Sequence, residues 1–565
     1  MDFRWSAKPL PENGKVANLS EALNVSEELA TILVQRGVET YDEAQSFFRP
    51  KLEDLHDPFL MKDMDIAISR IEKAIENREK MMVFGDYDVD GTTAVSIVYS
   101  YFRNFNQNIE YYIPDRYKEG YGISTTGIDY AADNGFTLII ALDCGIRSNK
   151  MVDYALSKGV EFIICDHHIP GEKLPNATAI LNPKRKDCEY PFKELSGAGI
   201  GFKLVEGYSQ KHGLPTSIQE EYLDLVAVSI ASDLVDIRGE NRILAYFGLK
   251  KLAENPGIGL QALMEGSPPK ASYTITDVVF GIGPRINAAG RIADAKAAVK
   301  MLIEKDFNTA RQFAKVLHER NSERQGLDSD LTIEAINLVE NDPILMGRKS
   351  TVVHGDKWHK GVIGIVASRL VEQFYKPTIV FSMNDDILTG SARSVKDFDI
   401  HEAIGECGDL VEQYGGHKYA AGLSIKAENF EAFAEKFEEI AKAKLTELME
   451  VPEIEYDVPL SLNKINDKML RIINQMSPFG PGNMLPVFKT ENLFSNGSAK
   501  VLKEKHLKLY FSQNGATMDG IGFGLGHHLP LVSNNKKFNA CYSIEENNFN
   551  GRTSIQLRLR DIKPA

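Results

Sequence analysis

The chain has 565 residues, 43% of them apolar and 25% charged, a balance that belongs to folded globular proteins and excludes the disordered and fibrous classes. It is longer than one ordinary core of about 100 to 200 residues, so three or four domains are expected. The net charge of -14 excludes a protein that coats nucleic acid through general basicity, because such binding rests on Lys and Arg neutralising phosphates; a nucleic-acid site here must be a local basic track.

Met1 to Leu10 holds no basic stretch leading into an apolar run, and no window of roughly 18 uninterrupted apolar residues occurs, so a soluble, unexported chain without a membrane span is expected. The five cysteines, Cys144, Cys165, Cys188, Cys407 and Cys541, are scattered and contain no CxxC pair. That pattern fits a reducing cytoplasm, and fits neither a disulfide framework nor a zinc knuckle.

In chain order, residues 1–75 carry helical apolar spacing, as in Leu29, Ile32, Leu33 and then Ala44, Phe47, Phe48, broken by Pro50 and Pro58. They predict a small helical region. Over residues 76–305 short apolar runs, Met81 to Phe84, Leu138 to Ala141 and Phe162 to Cys165, alternate with helix-like stretches such as Ala94 to Phe105. That alternation predicts a parallel sheet wrapped by helices. Tyr222 to Ser232 and Asp294 to Ile303 read as helices, and residues 306–345, long, charged and periodic, as a connecting helical region. A second βα pattern over 346–450, with the buried-strand candidate Pro377 to Phe381, predicts a separate α/β lobe. From 451 to 565, short runs such as Leu507 to Phe511 and Ser554 to Leu559 lie between Gly and Asn turns and predict a small β barrel. The expected fold class is multidomain α/β with an appended barrel.

Each apolar run of the first lobe ends in carboxylates or histidines: Asp86, Asp88 and Asp90, then Asp143, then Asp166, His167 and His168. In open parallel sheets ligands bind beyond the carboxyl ends of the strands, so these distant residues are expected to converge at one rim. Carboxylates packed together raise one another's pKa and need a compensating cation. Asp233, closing the helical run Val226 to Ser232, is a further candidate for the same crevice. The calcium loop D-x-D-x-D-G is excluded, since the position six after Gly91 is Ile97 rather than Glu. Cys144 and Cys165 lie close by, but oxygen donors with one histidine favour manganese or magnesium over a softer metal. Asp166 is expected to orient one imidazole from behind.

Gly85-Asp86-Tyr87-Asp88-Val89-Asp90-Gly91, Asp143-Cys144-Gly145, Asp166-His167-His168 and Ala231-Ser232-Asp233 resemble the four ordered motifs of DHH phosphoesterases. The resemblance extends through Ser196-Gly197-Ala198-Gly199, the stretch Gly283 to Arg291, Trp358 to Gly364, Gly390-Ser391-Ala392-Arg393-Ser394 and Gly415 to Gly422. Over most of its length the chain is similar to the bacterial RecJ family. Phe84 replaces the histidine that family pyrophosphatases carry four residues before the first motif, which argues against pyrophosphate as substrate.

The resemblance implies a catalytic DHH domain, a linking helix, a DHH-associated domain and a C-terminal OB fold. It implies 5′ to 3′ exonucleolysis of single-stranded DNA, releasing mononucleotides, in recombination and repair. The alternative within the superfamily is a phosphodiesterase acting on short RNA or cyclic dinucleotides, whose members lack the flanking domains. Carried onto this chain, the implied ligands of two Mn2+ or Mg2+ ions are Asp88, Asp90, Asp143, His167 and Asp233, with Asp143 shared. Asp166 then holds His167 in its ligating tautomer, His168 faces substrate phosphate, and Asp86 stands behind the ligands. Single-stranded DNA is the implied partner, alongside a RecQ-type helicase and a single-stranded-DNA-binding protein, for a monomeric enzyme.

Phosphate binding calls for fixed cationic donors, which arginine's planar fork supplies. The candidates are Arg285, Arg291, Ser391 and Arg393, with His417 beside Gly415 and Gly416, where backbone approaches a ligand closely. His359 is a weaker candidate. For the barrel, Lys503, Lys505, His506, Lys508, Arg552, Arg558 and Arg560 are expected to grip a single strand, with Phe511 and Phe549 stacking on bases.

Overall fold

The computed structural model describes residues 2–292, 295–355, 357–384, 386–495, 497–533, 536–549 and 551–565; the side chains of Ile292, Asn384, Phe549 and Arg552 lie outside that description, as does Asp294, the expected first residue of a helix. The chain forms two compact units, one of Pro9–Asn321 with Ile465–Pro486, the other of Met1–Lys8 with Ser322–Lys464 and Val487–Ala565.

The first unit opens with three short helices, Asn13–Leu23, Glu27–Gln35 and Tyr41–Phe48. The last begins in a reciprocal cap between Thr40 and Glu43, which satisfies two of the backbone donors a helix start leaves free. Behind them stands a five-stranded parallel sheet in the order Ile109–Tyr112, Lys80–Gly85, Phe136–Leu142, Glu161–Cys165, Ala179–Leu181. Successive side chains of a strand point to opposite faces. Met81 and Val83 thus join the core beneath the helix Val89–Phe102, while Met82 and Phe84 join the core on the other face with Ile139 and Phe162. With both faces covered, these strands read as continuous apolar runs rather than alternating ones.

In the second unit the sheet runs Gln413–His417, Ala420–Lys426, Ile387–Arg393, Thr378–Asn384, Thr351–Gly355. Only the pair Thr351–Gly355 with Thr378–Asn384 is parallel; the other pairings are antiparallel, so the βα rhythm covers just the start of this lobe. The C-terminal region is a seven-stranded sheet, Val458–Pro459, Phe488–Ser495, Phe538–Phe549, Arg552–Pro564, Ala516–Gly522, His506–Gln513, Lys500–Leu502. A further pairing of Phe494 with Ser512 and Ser495 with Phe511 closes it on itself, which removes the open edges of a flat sheet.

Two features depart from expectation. Arg4–Ala7, read as part of a helical region, is a strand paired in parallel with Glu453–Tyr456. Ile465–Pro486, read as part of the barrel, packs within the first unit. Among the described residues no helix is long and apolar enough to cross a membrane.

Candidate metal centre

Gly85 pairs with Leu142 and Leu142 with Cys165, so three strands end at one level. Asp86, Asp143 and Asp166, the next residues of each, leave the sheet at the same carboxyl rim, where a parallel sheet opens its crevice. Asp88 caps the helix Val89–Phe102 by accepting from the Gly91 amide at 3.0 Å, which sets Asp90 in the first helical turn. The helix Leu223–Ser232 delivers Asp233 as its terminal cap.

His167 Nε2 lies 3.1 Å from Asp143 Oδ1, 3.6 Å from Asp233 Oδ2 and 3.7 Å from Asp90 Oδ2. Three groups result among the described residues, Asp86 with Asp88 and Asp143, Asp90 with His167 and Asp233, and Asp143 with His167 and His168, each with donor atoms within 4.8 Å of one another. Asp143 belongs to the first group and touches the second through His167, so it stands at their junction. It adopts φ 59°, a left-handed conformation that costs a side-chain-bearing residue about 1–2 kcal/mol. Gly197 makes room for it, since a Cβ there would lie 2.7 Å from Asp143 Cβ. The same helix start fixes Asp90: the Gly197 and Ala198 amides donate to its two oxygens at 2.7 and 2.8 Å, and Ser229 Oγ adds a third bond at 2.7 Å.

Both oxygens of Asp86, Oδ1 of Asp143 and Nδ1 of His167 are buried without a hydrogen-bond partner among the described residues. Buried carboxylates without donors are costly. Burial, with Asp88 beside Asp86 and Asp90 beside Asp143, pushes the pKa of both acids well up. Burial and Asp90 push Asp233 up to about 8. Burial lowers His167, favouring the neutral ring that ligates. Oxygen donors with one imidazole fit Mn2+ or Mg2+, and such cations would satisfy the unpaired carboxylate oxygens and return the acids to their ionised form. Asp86, expected behind the ligands, is itself a member of the first group.

Asp166 does not orient His167. Its Oδ1 accepts from the His168 amide at 3.1 Å and from His168 Nδ1 at 2.7 Å, and its Oδ2 accepts from the Ile146 amide at 2.9 Å. The bond from the His168 amide to the Asp166 carboxylate two residues earlier is an Asx turn, which folds His168 onto Asp166 and leaves His167 turned to the acid groups. Burial opposes the charge on Asp166, yet the bond to His168 holds its pKa low; against the same burial, Asp166 raises that of His168.

Local patterning did not reveal Tyr121, Tyr87 and Arg116. Tyr121, 59% exposed, places its hydroxyl 3.3 Å from His168 Nε2 and meets Tyr87 edge-on at 6.3 Å. Arg116 lies over the Tyr87 ring at 5.0 Å. The stretch Gly283 to Arg291 has a packing role: a Cβ at Gly283 would lie 2.8 Å from Ser232 Oγ, and one at Gly290 2.6 Å from the Tyr87 carbonyl. Its helix therefore packs on both acid-bearing loops. Arg285 is committed to structure, donating to the Leu263 carbonyl at 3.0 Å and approaching Ser267 Oγ. The Arg291 carbonyl accepts from the Tyr117 hydroxyl, and its charge acts on Tyr87 and Tyr117.

In the second unit Arg393 Nη1 donates to Ser391 Oγ at 3.2 Å and to the Ala392 carbonyl at 2.8 Å. Gly364, in the first turn of the helix Ile363–Phe374, approaches both: a Cβ there would lie 2.9 Å from Ser391 Oγ and 3.1 Å from Arg393 Nη2. His417 pairs with Ala420 and Ala420 with Arg393, which sets all three in one cross-strand row. His359 Nδ1 accepts from the Gly361 amide at 3.1 Å.

The barrel corrects the aromatic expectation. Phe511 is fully buried against Phe538 and Tyr542, because an inward position on a closed sheet must fill the core. Phe494, Tyr510 and Phe523 are exposed rings; Phe523 has Arg558 over it at 5.3 Å and His506 at 5.2 Å. Lys508 pairs with Asp519 at 2.6 Å and Arg558 with Glu545 at 3.5 Å. Arg560 leans on Ser543, whereas Lys503 and Lys505 are exposed.

Residues 80–230 match the DHH family N-terminal domain, 347–443 the DHHA1 domain and 456–561 the RecJ OB domain. The chain is 36% identical to the single-stranded-DNA-specific exonuclease RecJ of Bacillus subtilis, over 99% of this chain and 70% of that protein. It is 32% identical to RecJ of Escherichia coli, over 88% of this chain and 91% of that one. The crystal structure of Thermus thermophilus RecJ with Mn2+ superposes with a TM-score of 0.85 at 27% identity, covering 100% of this chain and 80% of that one; the Mg2+ complex gives 0.79 at 26% identity, over 100% and 79%. A buried acidic centre on a DHH sheet, a DHHA1 lobe and an OB barrel in one chain, together with these identities, establish that the chain belongs to the RecJ family of single-stranded-DNA-specific exonucleases.

Proposed function

We propose that this chain is a metal-dependent exodeoxyribonuclease that hydrolyses single-stranded DNA from 5′ to 3′ and releases 5′-mononucleotides, in the service of recombination and repair. The observation that carries the reading is the pair of acidic groups joined at Asp143. Asp86, Asp88 and Asp143 would hold one ion and Asp90, Asp143, His167 and Asp233 the other. When bound, two such ions supply the positive charge that acidifies an attacking water and stabilises the departing oxygen.

The chain's own groups do the rest. Asp166 keeps His168 charged and aimed, so that its Nε2 donates to a phosphate oxygen. Tyr87, Tyr121 and Arg116 line the approach with aromatic and cationic surface suited to a single strand. Ser391 and Arg393, beside the start of the helix Ile363–Phe374, present donors for a terminal phosphate, with His417 and Arg291 as further phosphate contacts. All the acids lie within one unit, which supports a monomeric enzyme. Five buried, unpaired cysteines support a cytoplasmic setting. A single-strand substrate also calls for a helicase of RecQ type to expose it and coexists with single-stranded-DNA-binding protein.

End-labelled single strands, duplexes and short RNA, each incubated with Mn2+, with Mg2+ and with chelator, test this. Mononucleotide release from the 5′ end of single-stranded DNA alone, abolished by chelator, is expected. Preferential cleavage of short RNA or internal cutting would overturn it.

A further inference from the structure

We infer that Met476–Asn483, some 240 residues downstream in sequence by the numbering, is a clamp that positions Asp233; this rests on the reading of Asp233 as a metal ligand. Asp233 is anchored on its N-terminal side by its amide, which donates to the Ser229 carbonyl at 2.9 Å. On the other side the chain passes through Leu234 at φ 55°, a conformation that persists for such a residue only when its surroundings fix it.

What fixes it is the downstream segment. The Ile237 amide donates to the Pro481 carbonyl at 2.7 Å. Gly480 and Gly482 lie flush on this loop: a Cβ at Gly480 would stand 2.5 Å from Ile237 Cγ1, and one at Gly482, where φ is 75°, 2.2 Å from Asp236 Oδ1 and 2.9 Å from Arg238 Nε.

The segment is itself locked. Arg242 Nη1 donates to the Met476 carbonyl at 2.8 Å and Nη2 to the Ser477 carbonyl at 2.9 Å. Asn483, fully buried, donates to the Met476 and Pro478 carbonyls at 2.9 and 2.8 Å. Asn241 Nδ2 holds the Asp236 carbonyl at 2.9 Å. Asp233 therefore sits between a helix end and a loop whose far side is pinned by residues distant in sequence. A ligand's supporting contacts typically change metal affinity about 10- to 100-fold when lost.

Mn2+ titration of the full chain by calorimetry and electron paramagnetic resonance tests the clamp. Gly482→Ala is expected to bind one of two Mn2+ ions about 10- to 100-fold more weakly, with activity recovered by excess Mn2+. Adding Asp236→Ala, which removes the nearest atom the new methyl strikes and frees the Arg238 side chain to move, should restore part of that affinity. Should Gly482→Ala fail to fold, Arg242→Lys, which cannot fork across several carbonyls, takes its place with the same expected loss. Wild-type affinity at both sites in a folded clamp variant, while Asp233→Ala loses one ion, overturns the clamp. Two ions retained by Asp233→Ala would instead overturn the ligand reading on which it stands.

Discussion

Asp166 Oδ1 and His168 Nδ1 lie 2.7 Å apart, and this bond leaves His168 only Nε2 to turn toward a substrate, with the Tyr121 hydroxyl 3.3 Å from it. The pair explains why the two adjacent histidines part in role: His167, turned to the acid groups, has its pKa lowered by burial, whereas that of His168 is raised by its carboxylate partner.

A charged His168 acts on phosphate only below its own raised pKa, so activity should fall as pH rises through it. Asp166→Asn removes the charge that raises it, and the alkaline limb of the pH–rate profile should move to lower pH, with turnover down about 10- to 100-fold. Profiles of wild type and variant at saturating Mn2+ check this; an unmoved limb contradicts the role of His168.

Metal binding should release protons near neutrality. Asp86 and Asp143 have raised pKa values and Asp233 is held up to about 8 in the metal-free chain, so ions must displace protons to bind. Apparent affinity for the Mn2+ ion held by Asp233 should therefore climb as pH rises toward about 8. These acids bind protons more tightly folded than unfolded, where Asp sits near about 3.9. Through Asp233, stability of the chelated protein should fall as pH rises from about 3.9 to about 8, and Mn2+ should cancel the fall. Calorimetry in buffers of different ionisation enthalpy, with thermal melts at each pH, reads both effects.

Asp143→Ala should lose both ions and Asp86→Ala one, with either change abolishing turnover in a folded chain. Metal stoichiometry separates them. Asp86→Ala binding two ions at wild-type affinity would return Asp86 to a supporting place.

The acid constellation was legible because strand, turn and carboxylate follow one another locally, and parallel pairing brings equivalent strand ends to one rim. Asp166 was misassigned for a reason of the same scale: adjacency in sequence suggested His167, whereas an Asx turn at the strand end gives it His168. The stretch Gly283 to Arg291 drew attention through its arginines, whereas its glycines Gly283 and Gly290 serve a close approach to neighbouring backbone and side chains that local sequence does not reveal. The clamp on Asp233 and the strand pairing of Arg4–Ala7 were not legible, since each depends on a partner hundreds of residues away that leaves no periodic trace.

Arg393→Ala should weaken use of 5′-phosphorylated strands while leaving Mn2+ binding intact. A charge-assisted hydrogen bond contributes about 1.5–3 kcal/mol, which corresponds to roughly 10- to 150-fold in kcat/KM for phosphorylated ends. Gly364→Ala, whose methyl would crowd Ser391 Oγ and Arg393 Nη2, should act in the same direction. The comparison is kcat/KM on strands with 5′-phosphate and 5′-hydroxyl ends; an equal loss on both would remove the terminal phosphate from the account.

In the barrel the exposed and buried aromatics should separate cleanly. Phe523, open to solvent and flanked by Arg558 and His506, has the setting of a base-stacking platform, worth about 1–3 kcal/mol per base. Phe523→Ala should thus weaken binding of long single strands roughly 5- to 150-fold with little change in melting temperature. Phe511 fills the interior, so Phe511→Ala should cost about 3–5 kcal/mol of stability and affect DNA only through unfolding. Because Lys508 and Arg558 are paired with Asp519 and Glu545, neutralising either should shift the salt slope of binding less than neutralising the exposed Lys503 and Lys505 together, for which about two phosphate contacts are expected to be lost. Fluorescence anisotropy with long and short strands over a salt series measures both quantities. Unchanged long-strand affinity in a folded Phe523→Ala would make this face of the barrel a protein-binding or structural surface, and the grip on DNA would have to be sought elsewhere in the chain.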